Sequence, residues 1–234
     1  MIELSIKKDI IGWDYINWGK SLEYFDDHIN YNNIHKVLEL GADSQSSGYS
    51  LFFAKKGIQS VCSSYGKINN RLIERHKKYK LDNLISYEIL DAKKITYKKE
   101  FDLICFKSML GGICKNGNTQ HAKTIFDQIH KALKPNGYLV FSENIESTII
   151  HKFFRKNFIS KSWNYFPKNE LTNLMDDNFK NIKTHSIGLL GCFGRSESQK
   201  NYLGKIDEYL FNKIAPESWN YVFFGICQKA SNKE

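Results

Sequence analysis

A chain of 234 residues, 41% hydrophobic and 14% aromatic, is long enough for one sizeable core and too apolar to be disordered. Its formal charge of +9 points to acidic partners, although lysine spread along the whole chain raises the charge without any binding purpose. Five cysteines lack a CxxC spacing, seven histidines lack HxxxH or HExxH, and no apolar run is long enough to span a membrane. These features exclude a zinc site and a membrane protein, and no aromatic-interleaved basic stripe supports nucleic acid as a partner. With a polar, aromatic start that lacks the core of a signal peptide, they predict a cytoplasmic protein with reduced thiols.

In chain order, the first 32 residues carry Trp13, Tyr15, Trp18, Tyr24 and Phe25, and predict a helical cap over the carboxyl edge of a sheet. Apolar runs at 36–40, 58–63, 85–90, 101–107 and 137–142 read as strands buried on both faces. Between them, helical spacing appears at 48–57, ending on Gly57, at 67–80, and at 119–133, which "KPNG" closes. The alternation predicts a doubly wound, mostly parallel α/β sheet. After residue 144 the rhythm changes. Helices are expected at 146–158, 168–178 and 198–214, and strands at 180–190 and 221–229, making seven strands. The chain divides into the N-terminal cap, a half at 33–145 built around the first five strands, and a half at 146–234.

Four stretches, "VLELG" (37–41), "YEILDA" (87–92), "FDLICFKSMLGG" (101–112) and "IFDQIHKALKPNGYLVFSEN" (125–144), resemble the class I S-adenosylmethionine-dependent methyltransferases in order and spacing. The resemblance covers most of the chain and implies their Rossmann-like fold, S-adenosylmethionine as cofactor and S-adenosylhomocysteine as product. More narrowly, "FKSMLGG", "SEN" and "GCFGRSESQKNYLGKID" look like a bacterial subgroup associated with capsule and lipopolysaccharide modification. That implies a small, phosphorylated or nucleotide-linked glycan precursor as acceptor, and O-methylation. The rivals are a cofactor-binding protein with a degenerate site, and an RNA-directed methyltransferase. The fourth-strand loop lacks both the Asn/Asp-Pro-Pro-aromatic and the Pro-Cys signatures of base methylation.

In such sheets ligands bind beyond the carboxyl ends of the strands. The resemblance therefore assigns the cofactor to Gly41, Ala42, Ser44 and Gly48, with Glu39 as the first-motif acid or merely the acid that orders the turn. Trp18 from the cap and Lys107 after strand four join them. Asp43 and Gln45 stand where the family has glycines. Ser64 ends the second strand where an acidic residue normally accepts the ribose hydroxyls, and Tyr65 packs on adenine or ribose. Asp91 and Ala92 meet the adenine, unless Asp91 caps the following turn. Catalytic candidates are Glu143 as general base, Lys107 and His121, against the simpler reading of Glu143 as a loop-holding acid. Acceptor contacts fall to Ser108, Asn144, His151, Phe193 and Arg195, with Arg195 offering a fork to an anion or standing solvated in a tight turn.

Overall fold

The computed structural model describes residues 3–42, 48–158 and 163–230, with Phe158 described by its backbone alone. Seven strands form one sheet: β1 (Lys36–Leu40), β2 (Gln59–Ser64), β3 (Ile85–Ile89), β4 (Phe101–Lys107), β5 (Leu133–Asn144), β6 (Phe179–Ile187) and β7 (Val222–Lys229). Their order is β3-β2-β1-β4-β5-β7-β6. The first five run parallel, and β7 lies antiparallel between β5 and β6. Strand order reverses between β1 and β4, which fixes where a crevice opens.

Alternate side chains of each strand enter different cores, as the two-residue pleat dictates. Leu38, Leu40, Ile104, Phe106, Leu139 and Phe141 pack on the stripe Ala122, Ile125, Phe126 and Ile129 of α6 (Thr119–Ala132) and on α8 (Lys168–Asp176). Val37, Leu103, Cys105, Val140 and Phe224 meet α1 (Leu4–Ile11), α2 (Lys20–His28) and the phenylalanines of α3 (Tyr49–Ala54). Burying a side chain of this size contributes roughly 1.5–3 kcal/mol, so either layer supplies enough to order the sheet.

Three elements depart from the sequence expectation. Helix α6 stops at Ala132, and Leu133 already pairs with Phe101, so "KPNG" belongs to an irregular start of β5. Pro135 holds Lys134 out of the helical region, and Asn136 turns the chain at φ 61°. Second, β2 extends to Ser64, which carries it to the carboxyl edge. Third, the last helix is not uniform. Helix α9 (Glu197–Ile206) starts on Ser196, whose hydroxyl accepts from Gln199 N–H, then widens into a π turn at Asp207–Phe211. The five cysteines are free, and no helix among the described residues is long and apolar enough to cross a membrane.

Candidate active site

The carboxyl ends of β1, β2 and β3 are stitched side by side. Ala42 N–H donates to Ser63 O at 2.8 Å, and Leu90 N–H donates to Ser64 O at 3.0 Å. Gly41 leaves β1 at φ 72°, in the left-handed region, and a Cβ there would stand 2.7 Å from Met109 Cγ. The turn therefore requires glycine twice over, for backbone conformation and for room. Ser44 lies outside the described residues, as does the rest of 43–47. Ala42 is buried, Ser64 is 9% exposed at the strand tip, and Tyr65 beside it is 78% exposed. Asp91 Oδ1 accepts from Lys93 N–H at 2.9 Å, so one of its oxygens orders the turn after β3.

Glu39 is fully buried, which pushes its carboxyl pKa upward, while hydrogen bonds from Ser50 and Tyr49 pull it back. Oε1 accepts from Tyr49 N–H, and Oε2 accepts from Ser50 N–H and Ser50 Oγ–H, all within 2.9 Å. Glu39 thus caps the start of α3 through these bonds. Gly48 also needs correcting. A Cβ there would meet Ile10 Cα at 2.6 Å, so this glycine admits α1, and the amides that follow it go to Glu39.

Two further assignments fall to burial. Trp18 is 1% exposed and packs with Leu22 and Phe25, leaving no face for a cofactor. Lys107 is wholly buried, its Nζ 3.3 Å from the Trp13 ring centroid and 4.6 Å from that of Trp18. Lys107 therefore anchors the N-terminal cap to the end of β4 by cation–π contacts.

Glu143 is likewise structural. Its Oε2 accepts from Met109 and Leu110 N–H at 2.9 and 2.8 Å, and Oε1 from Asn144 N–H at 3.1 Å. Complete burial raises its pKa to about 7. A carboxylate held by three amides beneath α5 (Leu110–Ile113) cannot meet an acceptor hydroxyl without breaking them. The general-base role is withdrawn: Glu143 fixes the β4 loop, and with it Met109 against Gly41. His121 is half-buried in the first turn of α6, where its Nδ1 lies 3.4 Å from Ile113 O, with no hydrogen bond to Glu143.

Ser108 and Asn144 do come together. Asn144 Nδ2 donates to Ser108 Oγ at 3.2 Å, both side chains are half-buried, and Ser108 sits at φ 48°. A strained residue at a sheet's carboxyl edge is a common companion of ligand sites. His151 does not join them. Its Nε2–H donates to Leu189 O at 2.8 Å, its Nδ1 accepts from Thr148 Oγ1 at 2.7 Å, and burial drives its pKa down to about 4. It is a neutral core histidine on α7 (Ile149–Phe158), with Phe193 packed on it at 4.7 Å between ring centroids. Arg195 is exposed at the start of α9, where its N–H donates to Gln199 Oε1.

Several residues escaped sequence reasoning. Gly111 and Gly112 make room for Trp163, whose Nε1 would stand 2.0 Å from a Cβ at Gly111, so the pair "GG" was the available signal. A buried cluster joins the cap to the late elements. Asn17 Nδ2 donates to Asp207 Oδ2 at 2.9 Å, Tyr221 O–H donates to Asp14 Oδ2, and Asp207 accepts from Leu190 and Gly191 N–H. Burial, with Asp207 and Glu197 adding negative charge, raises the Asp14 pKa to about 7, against the partial opposition of Tyr221 and Lys200. Native Asp14 thus keeps a proton that the unfolded chain loses above about pH 4, so its contribution to stability falls as pH rises toward 7. Asp14→Asn removes that decline. Its stability relative to the unsubstituted protein should rise by about 1.4 kcal/mol per pH unit between roughly pH 4.5 and 6.5. Urea unfolding at stepped pH measures this, and parallel curves for the two proteins would contradict it.

No protein-family model and no curated protein sequence matches the chain. Solved structures do. Phosphoethanolamine N-methyltransferase 2 of Haemonchus contortus, solved with S-adenosyl-L-methionine, superposes with a TM-score of 0.62 at 15% identity over 92% of this chain. This chain spans 53% of that protein's length. The MccD protein gives 0.60 at 16% identity, covering 92% of this chain and 99% of that one. The [4+2]-cyclase SpnF gives 0.60 at 11%, covering 91% and 81%. The chain has the Rossmann-like fold of the class I methyltransferases. At these identities the likeness carries the fold, and the fold also hosts a cyclase.

Proposed function

We propose that the protein binds S-adenosylmethionine at the carboxyl edge of β1–β3 and transfers its methyl group to a small anionic acceptor. The observation that carries this reading is the stitched row of Gly41, Ser64 and Asp91, each at or just past the carboxyl end of its strand. Gly41 and Ala42 would line the methionine end, Ser64 and Tyr65 the ribose and adenine, and Asp91 with Ala92 the adenine amine. Bound there, the cofactor supplies an already activated methyl group, so the chain's own task is to align and shelter the acceptor. Ser108 and Asn144 are the groups available for that alignment. With Glu143 committed to amides, the reading favours an acceptor oxygen that is anionic or easily ionised, which needs no strong base. A phosphorylated or nucleotide-linked glycan precursor fits this chemistry, and its O-methylation in capsule-type synthesis rests on the sequence resemblance alone. In this scheme 1–32 caps the site, 33–145 holds the cofactor and 146–234 faces the acceptor, in the cytoplasm.

Transfer of label from methyl-labelled S-adenosylmethionine to a panel of phosphorylated sugars tests the reading. Labelled product supports it. Tight cofactor binding with no transfer to any phosphorylated or nucleotide-linked sugar would favour the degenerate-site rival, and label in RNA the RNA-directed one. Ser64 supplies a separate prediction. Ser64→Asp replaces neutral ribose hydrogen bonds with charge-assisted ones and should tighten cofactor binding roughly 5- to 30-fold. Weaker binding in the folded variant would remove Ser64 from the ribose position.

A further inference from the structure

Arg155 on α7 is 6% exposed. Its Nη1–H donates to Ile145 O at 2.7 Å, and its guanidinium carbon stands 3.8 Å from the centroid of the Tyr165 ring. Among the described residues no carboxylate forms an ion pair with it. Glu146, the acid whose field reaches it, is bound instead to Lys152 at 2.6 Å. Burial presses the guanidinium pKa downward, yet arginine stays charged in proteins. A buried cation without a counter-charge is costly, and contact with one carbonyl and one ring face offsets only part of that cost.

The position of this cation is informative. Ile145 directly follows Asn144, the partner of Ser108. Residues 163–166 cross the same edge. Trp163 sits on Gly111 and Gly112 after β4, Asn164 N–H donates to Gly111 O, and Phe166 bridges Ile145 after β5. Tyr165, between them, feels the charges of both Arg155 and Glu143. Arg155 therefore stands on the acceptor side of the carboxyl edge. Its guanidinium has five N–H donors and lies over the Tyr165 ring.

We infer that Arg155 is the anion-recognising residue of the acceptor site, taking a phosphate-type group of the methyl acceptor on its guanidinium fork. This deepens the function proposed above and depends on its acceptor half, not on the cofactor. It moves the anion contact from Arg195, exposed just before α9, to a buried cation bonded to Ile145 O, next in sequence to Asn144.

The chain has four arginines, Arg71, Arg75, Arg155 and Arg195, so the side-chain Nε–H signals form a short, assignable NMR spectrum. Titrating the unsubstituted protein with inorganic phosphate should move the Arg155 signal saturably in the millimolar range. Arg155→Lys, which keeps the charge and loses the fork, should weaken phosphate at least about fivefold and leave S-adenosylmethionine affinity unchanged. Arg155→Met should abolish the phosphate response. Movement of Arg195 instead, no movement by about 50 mM phosphate, or equal phosphate affinity in Arg155→Lys would each overturn the inference. The titration of the unsubstituted protein decides the matter even if the methionine variant fails to fold. A phosphate response at Arg155 without cofactor binding would separate this inference from the cofactor half of the proposed function.

Discussion

Gly41→Val is expected to lower S-adenosylmethionine affinity about 100-fold or more, roughly 2.8 kcal/mol, in a protein that still folds. At φ 72° a β-branched residue is strongly disfavoured, and its Cβ would lie 2.7 Å from Met109 Cγ and 2.8 Å from Met109 Sδ. Met109 has little freedom to retreat, because its side chain is buried in the core and its N–H is held by Glu143 at 2.9 Å. The strain is relieved by moving the turn at the end of β1, where the cofactor's methionine end is proposed to lie. Calorimetric titration of both proteins measures the effect. Equal affinities in two folded proteins would place the cofactor elsewhere.

The largest effect on stability is expected at Glu39. Glu39→Ala leaves the amides of Tyr49 and Ser50 and the Ser50 hydroxyl buried without their acceptor. Each stranded donor costs about 1–3 kcal/mol, so the variant should lose about 3–5 kcal/mol in urea unfolding. Glu39→Gln keeps an acceptor but aims an NH2 group at one of those donors, and should lose less than the alanine variant. A loss below about 1 kcal/mol for alanine would mean that the capping bonds contribute little.

The contrast between fold and site follows from what each depends on. The strands were legible because Val37, Leu38, Leu103, Ile104, Leu139 and Val140 lie in continuous apolar runs, and a sheet covered on both faces asks for nothing subtler. Gly41 was legible because a strand followed by an obligatory turn leaves few residue choices. The directions of Glu39, Lys107 and Glu143 were not. Each sits at a strand tip where the sequence suits a catalytic or binding group, and each was claimed by partners distant along the chain. Glu143 met the amides of Met109 and Leu110, 34 and 33 residues away, and Lys107 met Trp13. His151 was misread for a related reason. Its place after β5 suggested an acceptor contact, while Leu189 O and Phe193, distant along the chain, enclosed it. Arg155 escaped because its helix "IIHKFFRKNF" has exposed Ile149, Ile150 and Phe153 on its other side, so its pattern does not mark which face is buried.

Replacing a helix-capping or loop-fixing acid disturbs cofactor and fold together, so such variants alone do not isolate the central claim that the carboxyl edge of β1–β3 seats S-adenosylmethionine. Calorimetric titration of the unsubstituted protein with S-adenosylmethionine and S-adenosylhomocysteine tests it directly. The arrangement of Gly41, Ser64 and Asp91 predicts one site per chain with micromolar affinity for both, about −8 kcal/mol. Absence of binding up to about 1 mM, roughly −4 kcal/mol, in a sample with a cooperative unfolding transition would contradict it, and would leave a methyltransferase fold serving another ligand.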